Sequence, residues 1–473
     1  MSDYWSTLDI DLHLPVHSGA GRRNGLEHAL REAIRDGRLG AGTRLPSTRT
    51  LAAELGLSRG TVSAAYDQLI AEGHLVAQQG SGTRVADTVS TPTTTVQSPK
   101  PAVALRHNLR PGTPDLSRFP VSAWLRASRQ ALGRAPSDAF GYGDPRGRIE
   151  LRSALVEYLG RTRGVLAIPD RIVITTGVQQ ALSLLGTVQA ASSTPVMAME
   201  DPYIRQFHEA VKATGPTVVT LPVDDDGARV ELLTTHAFDG VGAAVVTPSH
   251  QFPIGSTLSP SRRKDLAAWA RAGHLVIEDD YDGEFRYDRQ PVGAIQGLAP
   301  DHVVYLGSAS KTLGPGLRLG WMVLPPRLVG PATDAKRLAD NHSETLGQLT
   351  LAEMITSHAY DRHIRSCRLR YRRRRDLLAD RLKPRAGRPL TGFALSGISA
   401  GLHALIRLEP AGLTEAEVLS RATAYGLAID GLSGMFIAPE KHARQGIVVG
   451  FGSPTDAAYP PALDALVRTL SST

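Results

Sequence analysis

From Leu26 to Ile34, apolar residues recur at helical spacing (Leu26, Ala29, Leu30, Ala33, Ile34), which predicts a first amphipathic helix. GRLGAGTRLP breaks that pattern. Ser47 then stands as N-cap of a helix running to about Leu55, which Gly56 ends. Ser58 caps the next helix, from Arg59 to about Glu72, with Val62, Ala65, Tyr66 and Leu69 facing inward. LVAQQGSGTRVA reads as strand, glycine turn and strand. Three helices and a β-hairpin in that order predict a winged helix-turn-helix over residues 1–85.

The periodicity then stops. Residues 86–106 are rich in Thr, Ser and Pro without apolar spacing, as in an extended, solvated linker. Beyond residue 107 the pattern is of a second kind. Short apolar runs (IVIT at 172, VMAME at 196, TVVTL at 217, AAVVT at 243, HLVIE at 274, VVYLG at 303, WMVL at 321) alternate with helical stretches. That alternation predicts an α/β domain over 107–473 with a mostly parallel sheet buried on both faces. Ligands of such sheets sit beyond the carboxyl ends of the strands. Asp279, Asp280 and the stretch Ser308 to Lys311 fall there.

Composition changes this picture little. A hydrophobic fraction of 42% and a charged fraction of 21% are ordinary for a globular chain. No apolar run is long enough to span a membrane, and the first residues lack the layout of a secretory leader, so a cytoplasmic protein is expected, on the nucleoid when bound to DNA. Cys367 is the sole cysteine, which rules out an intramolecular disulfide. The net charge of +7 is local in origin: residues 361–388 hold twelve Lys or Arg against three Asp. There Leu369, Leu377, Leu378 and Leu382 are expected to face inward, and Arg372 to Arg375 to form a solvated or subunit-facing side. Bulk charge is therefore a weak argument for nucleic acid, and the motifs must carry it.

A DNA reader needs a helix start in the major groove, with hydroxyl and Arg side chains near phosphates and base edges. Ser58, Arg59, Thr61 and Ser63 supply these at the start of the third helix. Arg44, Ser47 and Arg49 flank the second, and Gln79, Gly80, Ser81, Gly82 and Thr83 form the wing tip. In the second domain Lys311 offers an amine for a Schiff base, while Ser308, Ser310 and Arg318 suit a phosphate monoester. VIEDDYDGEFRY adds carboxylates and a phenol, the groups a pyridine cofactor needs at its ring nitrogen and hydroxyl. In ITTGVQQAL, Gly177, Val178 and Gln179 can turn backbone N–H groups to the same phosphate. No metal is expected.

RLPSTRTLA, LSRGTV, AEGHL and GSGTRV together resemble the winged helix of GntR regulators. FGYGDPRGRIELRSAL, ITTGVQQAL, TPSHQFPIGSTLS, EDDYDGEFRYD and YLGSASKTLGPGLRLG extend the resemblance to the MocR-type (GabR-like) branch. The resemblance implies a fold type I, aspartate-aminotransferase-like domain that binds pyridoxal 5'-phosphate. It implies Lys311 as the Schiff-base lysine, and Asp279 as the ring-nitrogen partner, with Asp280 the alternative. Tyr281 would meet the ring hydroxyl, and Ser308, Ser310 and Arg318 the phosphate. It further implies Tyr203 as the aromatic stacked on the ring, Arg205 as an effector-carboxylate arginine, and Tyr142 as reaching the phosphate of the partner subunit. The assembly it implies is a head-to-tail homodimer on a double-stranded operator, sensing the cofactor or a small amine or amino acid. Three departures stand out. EDPYIR lacks the glycine of EDPGY, Phe252 precedes Pro253 where aminotransferases carry Asn, and GIVVGFGS lacks their second substrate arginine. A regulator with little turnover is expected; a true aminotransferase with an accessory DNA-binding domain is the alternative.

Overall fold

In a computed structural model of the chain, Ser47 and Ser58 each accept a backbone N–H three residues on, from Thr50 and Thr61, both at 3.1 Å. These caps start the helices Thr48–Glu54 and Arg59–Ala71, behind a first helix Arg22–Arg35. The structure describes residues 21–78, 82–87, 105–287, 292–384, 390–437 and 444–471. The chain divides into two compact units, 1–102 and 103–473. In the first, Leu26, Leu30, Leu51, Val62, Ala65 and Leu69 are fully buried and close the three helices on one another. Tyr66 joins them, its hydroxyl donating to the Pro46 carbonyl at 3.0 Å. Strands Leu75–Gln78 and Gly82–Val85 pair antiparallel, Leu75 opposite Val85.

The second unit is built on an eight-stranded sheet. Its strand order is Ile172–Thr175, Gly320–Val323, Val303–Ser308, Leu275–Asp279, Val241–Val246, Val196–Asp201, Thr217–Asp224 and Gly227–Ala228. All seven apolar runs singled out in the sequence lie in it. The five strands from Val303–Ser308 to Thr217–Asp224 run parallel; Gly320–Val323 is antiparallel to both neighbours. That reversal has a positional use. A Cβ on Gly320 would meet Gly177 Cα at 2.8 Å, so the antiparallel strand passes directly against the first residue before helix Val178–Ala190.

A smaller antiparallel sheet, in the order Phe393–Ser396, His403–Leu408, Gly446–Gly450 and Asp430–Gly431, has no counterpart in the sequence-based reading. It shares a core with helices Ala359–Arg381, Glu415–Ala424 and Tyr459–Leu470. The basic segment lies in this long helix as far as Arg381, and the buried face of the helix differs from the expected one. Tyr360, Ile364, Cys367, Tyr371, Arg374 and Leu378 point inward at helical spacing, whereas Leu369 is 59% exposed. Leu382 is buried and Leu377 partly so, as expected. Arg374 is a correction: its Nη2 donates to Asp115 at 2.8 Å and Asp456 at 2.6 Å, and its Nη1 to the Gly452 carbonyl at 3.1 Å. A guanidinium tolerates burial when each side of the fork finds an acceptor. Among the described residues no helix is long and apolar enough to cross a membrane.

Candidate functional site

The strand ends Asp279 and Ser308 open onto a cavity of about 210 Å³. Ten residues named from the sequence line it: Gly177, Val178, Gln179, Tyr203, Asp279, Tyr281, Ser308, Ser310, Lys311 and Arg318. Lys311 follows the turn after Val303–Ser308, and its amine donates to the Gly112 carbonyl. Burial lowers its pKa, opposed by Asp282 and Asp279. The free-amine form that nucleophilic addition requires is thereby favoured. Opposite, the start of helix Val178–Ala190 presents first-turn N–H groups that have no intrahelical acceptor. Arg318 has a left-handed backbone (φ 52°), a strain of about 1 kcal/mol or more for a non-glycine residue. That conformation lays its guanidinium over Gly177, where a Cβ would stand 3.5 Å from Nη1. Ser308 Oγ bonds Ser310 Oγ at 2.8 Å and accepts the Ser310 N–H at 3.0 Å. Hydroxyls, a guanidinium and a helix start thus converge on one wall, as an anion requires.

At the other end Asp279 is buried. Its Oδ2 accepts the Tyr203 hydroxyl at 2.5 Å, and its Oδ1 has no hydrogen-bond partner. Burial pushes this carboxyl up to about 7, against the Tyr203 hydrogen bond. A buried acceptor without a partner is costly unless a ligand supplies the donor. A protonated pyridine nitrogen is such a donor. With the phosphate wall and Lys311, the residues present fit pyridoxal phosphate.

The remaining candidate residues stand at the edge of this cavity or away from it. Tyr203 lines the cavity but spends its hydroxyl on Asp279 rather than serving solely as a stacking face. Arg205 lies outside the cavity lining, and its Nη2 donates to the Phe436 carbonyl at 2.7 Å. Tyr142 is 92% exposed beside His342 and also lies outside the cavity. Asp280 points away, its carboxylate held by Arg163 at 2.6 and 2.9 Å. Phe252 does line the cavity, its ring edge-on to Tyr281 with centroids 6.4 Å apart.

His250, Asp282 and His403 escaped the sequence reading. They bring one ligand-type atom each to within 4.8 Å of one another. His250 Nδ1 stands 2.8 Å from Asp282 Oδ2 and 3.2 Å from the Tyr281 hydroxyl. The carboxylate thus orients an imidazole that faces the phenol. Burial, then the neighbouring His250, keeps His403 neutral, and its buried Nε2 has no partner. SHQ before FPIG and DYD after the strand were visible signals for the first two. His403 had none, because it arrives on a strand of the smaller sheet.

On the first unit, Arg44, Arg49 and Arg59 are exposed, and Arg49 and Arg59 have no ion pair or hydrogen bond among the described residues. Ser47 and Ser58 are committed to their caps and to Thr50 and Thr61, at 2.7 and 2.8 Å between hydroxyls, so their expected DNA contacts would be shared with a capping role. Thr61 and Ser63 are half-buried at the start of the third helix. Gly82 and Thr83 begin the second wing strand, while Gln79, Gly80 and Ser81 lie outside the described residues.

Comparison with known proteins agrees with both halves. The model for bacterial regulatory proteins of the gntR family matches residues 22–85, and that for aminotransferase class I and II matches residues 108–430. The HTH-type pyridoxine biosynthesis transcriptional regulator PdxR of Corynebacterium glutamicum is 31% identical, over 94% of this chain and 95% of its own. The probable rhizopine catabolism regulatory protein MocR of Rhizobium meliloti is 32% identical, over 94% and 91%. Among solved structures, Pyrococcus horikoshii kynurenine aminotransferase matches 78% of this chain and 91% of its own. Its TM-score is 0.69 at 27% identity.

Proposed function

We propose that this chain, which belongs to the MocR-type GntR regulators and so joins a DNA-binding winged helix to a fold type I aminotransferase-like domain, senses pyridoxal phosphate or a small amine through Lys311. The observation that carries the proposal is the cavity itself. Lys311, the unpartnered Oδ1 of Asp279 and the Ser308–Ser310–Arg318 wall face one space. When bound, pyridoxal phosphate supplies an aldehyde that condenses with amines and a ring that withdraws electrons. The chain's part is to hold and orient. Asp279 would keep the ring nitrogen protonated, Arg318 and the two serines would grip the phosphate, and Tyr281, backed by His250 and Asp282, would face the ring hydroxyl. Tyr142 would reach the partner subunit's site in a head-to-tail homodimer, and Arg44, Arg49 and Arg59 would meet the operator.

Sensing is favoured over turnover by what the cavity lacks. Among its described lining residues Arg318 is the single guanidinium, so no second arginine lines it to clamp a substrate carboxylate. Phe252 occupies the place where aminotransferases carry a polar side chain. The names of the relatives, one for pyridoxine biosynthesis and one for rhizopine catabolism, support an effector of the cofactor or amine class. Adding pyridoxal phosphate to the purified chain should produce a visible absorption band that Lys311→Ala abolishes; a colourless wild type refutes the reading. Sustained keto-acid formation from any of a panel of amino acids would instead establish an aminotransferase.

A further inference from the structure

A second cavity, of about 670 Å³, lies between the end of helix Ile149–Arg163, the loop after Asp282 and the start of helix Ala359–Arg381. Five arginines line it, against the carboxylates Glu284 and Asp361. The charges do not balance locally. Asp361 is four residues before Arg365 and within its reach on a helix. It is instead taken by Arg161, at 2.9 and 3.0 Å, and by His358, at 3.1 Å. Arg163 is spent on Asp280. Arg365 is exposed and has no hydrogen bond or ion pair among the described residues. Arg368 uses only Nε, on the Glu284 carbonyl at 2.9 Å, and among the described residues its two terminal amino groups have no partner. Two guanidiniums one helical turn apart repel each other, and among the described residues no carboxylate pairs with either. Buried Tyr158 and Ile364 provide an apolar floor beneath these cations.

We propose that this recess binds a small phosphate-bearing anion. The guanidinium fork of Arg365 and the free end of Arg368 match phosphate oxygens bidentately. A volume of this size suits a small molecule. The site is separate from the cofactor cavity but shares a wall with it. In the stretch 281–284, Tyr281 and Asp282 face the cofactor cavity, whereas Gly283 and Glu284 face the basic one.

The test is calorimetric titration of inorganic pyrophosphate into the full-length chain saturated with pyridoxal phosphate, which occupies the Ser308–Arg318 wall. One saturable site per chain is expected, weakened roughly tenfold or more in Arg365→Gln. The charge-reversed Arg365→Glu should abolish it. Both variants leave the Arg368–Glu284 contact in place, and circular dichroism checks that they fold. No saturable binding to the wild type, or equal affinity in both variants, overturns the proposal. It also fails if pyrophosphate does not bind while non-specific duplex DNA binds and loses affinity in the variants, since the surface is then a nucleic-acid contact.

Discussion

Two carboxyls show how position alone separates the roles of like residues. Asp279 and Asp280 are neighbours at one strand end, yet Asp280 is neutralised by Arg163 while Asp279 keeps one oxygen unpartnered in the cavity. Asp279→Asn preserves shape but cannot hold a ring nitrogen protonated. Cofactor affinity in the variant should fall roughly tenfold or more, as loss of a charge-assisted bond does, and equilibrium titration of the visible band would detect it. Unchanged affinity would remove Asp279 from the site. Glu284, with Tyr158 donating to it at 3.2 Å, is pushed up to about 7 by burial and then by Asp280. Its folded pKa lies above the unfolded value of about 4.3, so its contribution to stability is complete below that value and is lost as pH rises through about 7. Glu284→Gln should therefore gain stability relative to wild type between pH 5 and 8. The gain should be on the order of 3 kcal/mol at most, read by urea denaturation at both pH values. A difference that does not change with pH would contradict this.

Helices and strands were legible where one physical signal dominated. The runs IVIT, HLVIE and VVYLG became strands within a residue of their apolar bounds, because a sheet covered on both faces needs unbroken hydrophobic segments. Ser47 and Ser58 marked helix starts because a cap is a local bond. The smaller sheet escaped: its apolar residues are shared with three helices, and its central pairing joins His403–Leu408 to Gly446–Gly450 across the intervening helix Glu415–Ala424. The long basic helix was misjudged for a related reason. Its arginine run hid that Arg374 sits on the same face as Tyr371 and Leu378, where Asp115 and Asp456 supply the acceptors. Arg374→Met leaves Asp115 buried without that partner and should cost about 3–5 kcal/mol in chemical denaturation. A cost under about 1 kcal/mol would mean the pair is dispensable. In the winged unit, Arg59→Ala should weaken operator binding by about 1–3 kcal/mol if it reads a base. If it meets only phosphate, the loss should be uniform across sequences, with a smaller salt slope. Binding equal to wild type in both assays would misplace the recognition helix.

At the scale of the whole chain, a ligand that binds only the folded second unit must stabilise it by mass action. Pyridoxal phosphate at a hundred times its dissociation constant should add about 2.7 kcal/mol, raising Tm in calorimetry, and Lys311→Ala should lose most of that gain. No rise on loading the wild type would argue that the cavity does not take the cofactor. Of the site, the sequence disclosed the groups whose chemistry has a motif. It missed His403, which only the meeting of two sheets brings to the cavity. Cys367, 3% exposed and with its thiol pushed up by burial, bears on how communication between the units can be observed. A protonated, enclosed sulfur reacts slowly with maleimides. A single cysteine introduced at an exposed position such as Asp67, on the third helix, would then be the one fast-labelling thiol in the native chain. One fluorophore there, with the bound cofactor as its energy acceptor, would report the distance between reader and sensor in an otherwise unaltered protein.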